Sequence, residues 1–172
     1  MLHQLSLTFG SRDLLDKIVK QNPDRQFVLL AATGGAKDLQ LLDISGQDSV
    51  FTSHLDYQVK IAHGQPDWHG FFSFNYFTLD VESAKVFEGE VNKIAAEPLP
   101  AGMTAMFVLS KLKNSGEYIL MTIWDTSDAF MIWRRSNRFS PFTKYATQLN
   151  NFHAATYQLA PAKKQAHHST ED

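Results

Sequence analysis

The sequence predicts an α+β fold made of two ferredoxin-like halves fused in one chain, the N-terminal half degenerate. Alternating apolar and polar segments recur with helical segments in the order β-α-β-β-loop-β and then β-α-β-β-α-β, the string of a small antiparallel sheet backed by helices. The pattern repeats with a period of about 65 to 70 residues, although the halves share no visible identity. Between them His63-Gly64-Gln65-Pro66-Asp67-Trp68-His69-Gly70 concentrates breaker residues, so residues 1–65 and 70–160 are the expected units and 161–172 a flexible tail. With 44 % apolar residues in 172, the chain has ample material for a core. A sheet with one apolar face must bury that face.

Leu5, Leu7 and Phe9 alternate with polar residues as a first strand. Ser11 caps a helix with Leu14, Leu15, Ile18 and Val19 on one face, which Asn22-Pro23 ends because proline disfavours a helical residue before it. Phe27 to Ala32 is a continuous apolar run, a buried strand, and Leu39 to Ile44 is the next. Gln47 to Asp56 has no clear period and reads as a loop, while Tyr57, Val59 and Ile61 alternate again.

Phe71 to Leu79 opens the second half as a strand, and Asp80 caps a helix carrying Ala84, Phe87, Val91 and Ile94, closed by Pro98-Leu99-Pro100. Strands follow at Thr104 to Leu112 and Tyr118 to Trp124, joined by a turn at Asn114-Ser115-Gly116. Asp125-Thr126-Ser127 caps a helix with Ala129, Phe130 and Trp133. Ser140-Pro141 starts another, with Phe142, Tyr145, Ala146 and Leu149 on one face, and Phe152 to Leu159 is the last strand.

Composition excludes several function classes. The net charge of −2 is scattered along the chain, which gives a phosphate backbone or an anionic bilayer nothing to hold, so neither nucleic acid nor membrane is an expected partner. Zero cysteines exclude disulfides, thiolate nucleophiles and cysteine-based metal sites. No signal peptide or spanning segment is read, and a cytoplasmic location is expected. The adjacent His167-His168 on the tail lack supporting partners, no pair of histidines has metal-ligand spacing with an acid, and no metal site is expected.

The string Ala105-Met106-Phe107-Val108, then Ile119 to Trp124, Ala129-Phe130, Trp133, Ser136 and Phe139, resembles the antibiotic-biosynthesis-monooxygenase (ABM) superfamily. Within it the pattern is most similar to the haem-degrading IsdG and HmoB group, whose first strand is matched by Asn75-Tyr76-Phe77-Thr78-Leu79. The ABM-like part covers roughly residues 70 to 160. Thr8-Phe9-Gly10, Asn22-Pro23-Asp24 and Tyr57-Gln58-Val59 extend the likeness to the longer members, HmoB and the signalling-associated protein TRAP, and His69 matches a position in the TRAP-like proteins.

The resemblance implies a dimeric α+β barrel, in which two sheets pack on one another. Because both halves lie in one chain, the expected form is a monomer holding that pairing internally, or a homodimer. The resemblance also implies roles. Asn75 matches the residue that interacts with oxygen at the haem iron, and Trp133 the residue that presses on the haem. From its residues alone Asn75 reads equally as an amide bonded to nearby backbone or facing solvent, and Trp133 as core. Phe107 and Phe142 are expected to line the same cavity. The position matching the axial histidine is Thr143, and a hydroxyl is a poor iron ligand. Haem therefore remains a possible cofactor without its usual ligand, with no cofactor as the other reading. Three function classes follow: a monooxygenase acting on a small aromatic or haem-like molecule with O₂, a non-catalytic protein binding a small-molecule ligand, and a TRAP-like regulatory or stress protein.

Overall fold

In chain order the elements are β1 (Gln4–Gly10), α1 (Arg12–Gln21), β2 (Phe27–Ala32), β3 (Leu39–Asp43), β4 (Leu55–Gly64), β5 (Phe71–Thr78), α2 (Val81–Ala95), β6 (Met103–Lys111), β7 (Glu117–Trp124), α3 (Ser127–Arg134), α4 (Ser140–Thr143) and β8 (His153–Leu159), with a 3-10 turn at Gln148–Asn150 before β8. The structure is a computed structural model and describes residues 2–35, 37–112 and 116–162. Two expected features, the turn residues Asn114 and Ser115 and the tail with His167 and His168, lie outside the described residues.

Local chemistry starts the helices where expected. The Ser11 hydroxyl accepts the Leu14 N–H at 3.4 Å, the Asp80 carboxylate accepts the Ser83 N–H at 2.7 Å, and the Thr126 hydroxyl accepts the Ala129 N–H at 3.1 Å. Each satisfies a donor that the helix itself leaves open. The bond from Ser83 holds the Asp80 carboxyl below its ordinary value, since it favours the charged form.

The strands close into one antiparallel barrel in the order β1-β3-β2-β8-β5-β7-β6-β4. That order contains one motif twice. The first half reads β4-β1-β3-β2 and the second β8-β5-β7-β6, so in each the fourth strand flanks the first and the third lies between first and second, as in a ferredoxin-like unit. Two seams join the halves. At one, β2 pairs with β8 (Leu30 opposite Leu159), and at the other β6 pairs with β4 (Leu109 opposite Val59). Each seam sets the second strand of one half against the fourth of the other, which is a two-fold relation within one polypeptide. Closure leaves no sheet edge. At the second seam Gly64 has φ +90°, and a Cβ there would lie 2.3 Å from the Thr104 carbonyl oxygen, so only glycine fits.

Alternation along the strands then assigns three apolar layers. Inward side chains such as Leu7, Leu42, Phe72, Phe74, Phe107 and Met121 fill the barrel. Outward ones pack under helices: Leu41 against Leu15 and Phe51 in the first half, and Phe77, Leu120 and Trp124 against Phe87, Trp133 and Phe142 in the second. Both faces of β5 and β7 are therefore buried. Among the described residues no helix is long and apolar enough to cross a membrane.

One expected element is different. The helix beginning at Ser140-Pro141 stops at Thr143, and Leu149, expected on its apolar face, is 95 % exposed. The Ser140 hydroxyl donates to the Asn137 carbonyl instead of capping. The single α-helical turn is flanked by i to i−3 bonds, Phe142 N–H to Phe139 before it and Tyr145 N–H to Phe142 and Ala146 N–H to Thr143 after it. Phe139, Phe142 and Tyr145 are buried beneath this turn.

Candidate functional site

The outer face of β5 carries Ser73, Asn75 and Phe77, because Phe72, Phe74 and Tyr76 alternate with them into the barrel. Register brings polar partners beside the first two. Ser73 lies opposite Thr122 of β7 and Thr156 of β8, and Asn75 opposite Leu120 and Ala154. The Asn75 Nδ2 donates to the Ser73 hydroxyl at 3.4 Å, and the Trp124 indole N–H donates to the Thr122 hydroxyl at 2.8 Å. Asn75 is 2 % exposed. Its long bond to Ser73 is the only hydrogen bond its side chain makes among the described residues, which leaves a buried amide underused.

Aromatic rings close over this polar strip. Trp133 of α3 is 4 % exposed and lies 5.2 Å from the Trp124 ring, 5.0 Å from Phe139 and 6.1 Å from Phe142, centroid to centroid. Phe87 of α2 meets Tyr145 at 5.0 Å and Phe142 at 6.4 Å, and Phe77 from below at 5.5 Å. The Tyr145 hydroxyl donates to Glu90 at 3.0 Å, and burial together with that carboxylate raises its pKa.

Of the site residues expected from the sequence, Asn75, Trp133 and Phe142 share this covered face. Phe107 does not. Its side chain points into the barrel, where Trp68 stacks on it at 5.9 Å, because alternation along β6 turns Met106 and Val108, not Phe107, to the helices. Thr143 is exposed. The tight turn that aims Phe142 and Tyr145 inward turns Thr143 out, so the position matching an axial ligand faces solvent.

This face does not fit haem. The rings of Trp133, Phe139, Phe142, Tyr145 and Phe87 occupy the space between sheet and helices, and the residue matching the iron ligand points away from it. Imidazoles lie elsewhere. His153 stacks on Tyr76 at the barrel mouth, 4.2 Å between ring centroids, and His69 stands in a loop beside Asp67. Among the described residues no group of three or more His, Asp or Glu side chains is arranged to hold a metal ion.

Beside the aromatic cover a cleft of about 680 Å³ opens between the start of α3 and the outer face of β8, lined by Phe71, Phe130, Met131, Thr126, Thr156 and His69 among others. Its floor includes Thr156, the ladder partner of Ser73. Ser73, Asn75 and Trp133 are not among its lining residues. Alternation along the strand already puts Ser73 on the face of Asn75, but sequence reasoning missed Thr122 and Thr156, since each is an ordinary strand residue until cross-strand pairing brings it beside Ser73.

No family model matches the sequence. Among solved structures the chain is similar to a ferredoxin-fold protein from Listeria monocytogenes related to antibiotic biosynthesis monooxygenases, with a TM-score of 0.78 and 18 % identity over 94 % of this chain and 96 % of that one. It is similar to a haem-degrading enzyme of Listeria monocytogenes, with a TM-score of 0.73 and 18 % identity over 91 % and 99 %. A major regulator of staphylococcal pathogenesis matches with a TM-score of 0.77 and 16 % identity over 92 % and 99 %. At such identities the likeness is one of fold: the chain has the ferredoxin-type fold of ABM-like proteins.

Proposed function

We propose that the chain is an ABM-type oxygenase that works without haem on a compact, electron-rich aromatic ligand held against the outer face of β5. The carrying observation is Asn75: a buried amide whose one long bond to Ser73 is easily exchanged for a bond to a ligand oxygen. The cleft beside α3 supplies an apolar wall from Phe71, Phe130 and Met131 and ends at Thr156, the ladder partner of Ser73. Nδ2 of Asn75 donates to the ligand oxygen and orients it, while Trp133 and its neighbours exclude water. The chemistry is direct reaction with O₂. A methylene carbon activated by flanking aromatic rings gives up its two hydrogens, one oxygen atom becomes the ketone oxygen and the other leaves as water.

A second reading, a non-catalytic binding protein, is favoured by the polar neighbours of Asn75. They are Ser73, Thr122 and the Trp124 indole, none of which takes up a proton near neutral pH. Anthrone, an aromatic ketone with such a methylene, separates the two. Saturable anthrone binding with oxygen uptake and quinone formation above the buffer rate, lost at least tenfold in Asn75→Ala, supports the oxygenase. Binding without uptake supports the second reading. No binding, or uptake indifferent to Asn75→Ala, removes the site. Haemin titration of the wild type and of Thr143→His should give no ligand-type Soret band in either, and a sharp band in Thr143→His would overturn the haem-free assignment.

A further inference from the structure

At the barrel end where β1 and β7 meet solvent, a second cavity of about 470 Å³ opens into the lumen, lined by Phe9, Leu55, Tyr57, Tyr76, Ile119 and His153 among others. Its rim also takes in Phe77, Thr78 and Tyr118 at the ends of β5 and β7. Phe9, Leu55, Tyr57, Tyr76 and Ile119 point inward, in alternation with Ser6, Thr8 and Asn75, which point out. Beside it stands an anomaly of β3. Gln40 alternates with Leu41, which packs under α1, and so shares the inward face of Leu42. It is 0 % exposed, and neither its amide nitrogen nor its amide oxygen makes a hydrogen bond among the described residues. Such an amide is destabilising where a leucine would pack without penalty.

We infer that the lumen is a second ligand site, independent of the one at Asn75, and that it takes an uncharged aromatic molecule bearing hydroxyl or carbonyl oxygen, a small fused-ring phenol or quinone. Gln40 is its buried polar anchor. Directly opposite Gln40 in the ladder is Phe9, whose ring lines the cavity and is 46 % exposed. A rotamer change of this one rim side chain joins amide to cavity, and an amide offers both a donor and an acceptor to a ligand oxygen.

The ligand's lack of charge follows from the walls. Rings and aliphatic chains dominate, and at the rim Lys111 and Glu117 neutralise each other at 2.7 Å. The hydroxyls of Tyr57, Tyr76 and Tyr157 reach into the lumen and bond to nothing among the described residues. Burial keeps all three protonated well above neutral pH, so they serve as neutral donors. A buried charge on the ligand would lose its hydration and find no partner. The cavity's size lies within the roughly 300–1,000 Å³ of small-molecule sites.

Naphthol is a suitable probe, with naphthalene and naphthalenesulfonate as controls of similar shape. Titrated into the full chain, naphthol should bind saturably, naphthalene at least tenfold more weakly and naphthalenesulfonate not at all. In the amide NMR spectrum the Gln40 side-chain signals should shift on naphthol binding. Gln40→Leu should raise the melting temperature, because it removes the unpaired amide, and weaken naphthol at least tenfold while leaving naphthalene unchanged. Tyr57→Phe, a milder change, tests the same lumen from its rim and should weaken naphthol severalfold. Equal affinity for naphthol and naphthalene, shifts confined to residues around Trp133, or unchanged naphthol affinity in Gln40→Leu would each overturn the assignment.

Discussion

Removing the Trp133 ring separates packing from ligand contact. The indole is buried at the centre of four aromatic contacts, with Trp124, Phe130, Phe139 and Phe142 at centroid distances of 5.2, 6.5, 5.0 and 6.1 Å. Truncating a buried Trp in such a setting typically destabilises by about 3–5 kcal/mol, transfer and cavity contributions together. A chain of this size loses about 2–4 °C of melting temperature per kcal/mol, so Trp133→Ala should melt about 6–20 °C below the wild type. Urea unfolding followed by far-UV circular dichroism gives the free energy directly, and its slope should not change, since the fold exposed on unfolding is the same. Trp133→Phe keeps a ring in the cluster and should lose distinctly less. A deficit below about 1 kcal/mol for Trp133→Ala would mean that the ring is not integrated in the core, and the closed aromatic cover described above would be wrong.

Two further outcomes follow from the barrel. All five tyrosines have raised pKa values, Tyr57 reaching about 12 from 10.0 through burial first and then the nearby Glu117; the folded chain should therefore develop less tyrosinate absorbance at pH 10 than the unfolded chain. In the window between pH 10 and about 12 the unfolded state has released protons that the folded state retains, so stability falls as pH rises there and is unaffected below it; folded and unfolded chains that titrate alike, with the folded circular dichroism spectrum intact, would contradict the burial of these side chains. Because β2–β8 and β6–β4 close the barrel within one chain, light scattering should find a species near 19.4 kDa; residues 70–160 alone, with β6 and β8 left as open edges and Phe72, Phe74 and Met121 uncovered, should associate, and a monomeric fragment would refute the pairing.

Where side-chain periodicity reports burial, the fold was legible. The alternation of Leu5, Leu7 and Phe9, the caps at Ser11, Asp80 and Thr126 and the breaker-rich 63–70 segment place most elements within a residue or two. The failures share one cause: they depend on neighbours distant in sequence. Phe107 and Met106 are both apolar, so the strand pattern does not say which one faces the helices. Leu149 was placed by helical periodicity from Ser140, and a helix that stops at Thr143 puts it elsewhere; Thr143 was matched to the axial ligand by its spacing from Trp133, which does not say which way it faces. Gln40 in a strand reads as a solvent-facing residue, and only barrel closure turns that position inward. Asn75 was legible as a polar exception in an aromatic strand. Its underused bonding was not, because the identity of its neighbours is set by register with β7 and β8.

The two halves also supply an internal comparison that bears on Asn75. In the first half the equivalent strand is β1, and its outward polar residues are Ser6 and Thr8, opposite Asp43 and Leu41. Where the second half has α3 and α4, the first has the irregular segment between β3 and β4, and that segment satisfies both residues. The Thr8 hydroxyl donates to the Ser53 carbonyl at 2.5 Å, and the Ser6 hydroxyl donates at 2.6 Å to Asp56, the residue just inside β4 that also pairs with His54. Asp43 is in turn paired with Arg25 at 3.0 Å. Ser6, Thr8 and Asp43 thus each have a partner, as buried polar groups require. On the other half the same strand face carries Asn75 with one weak bond, beneath a layer of rings that offers it no polar atom. An antiparallel sheet did not force this, since its pseudo-symmetric twin avoids it. The asymmetry sets the two halves apart at this face: the first satisfies Ser6 and Thr8 internally, and the second leaves Asn75 with a single long bond.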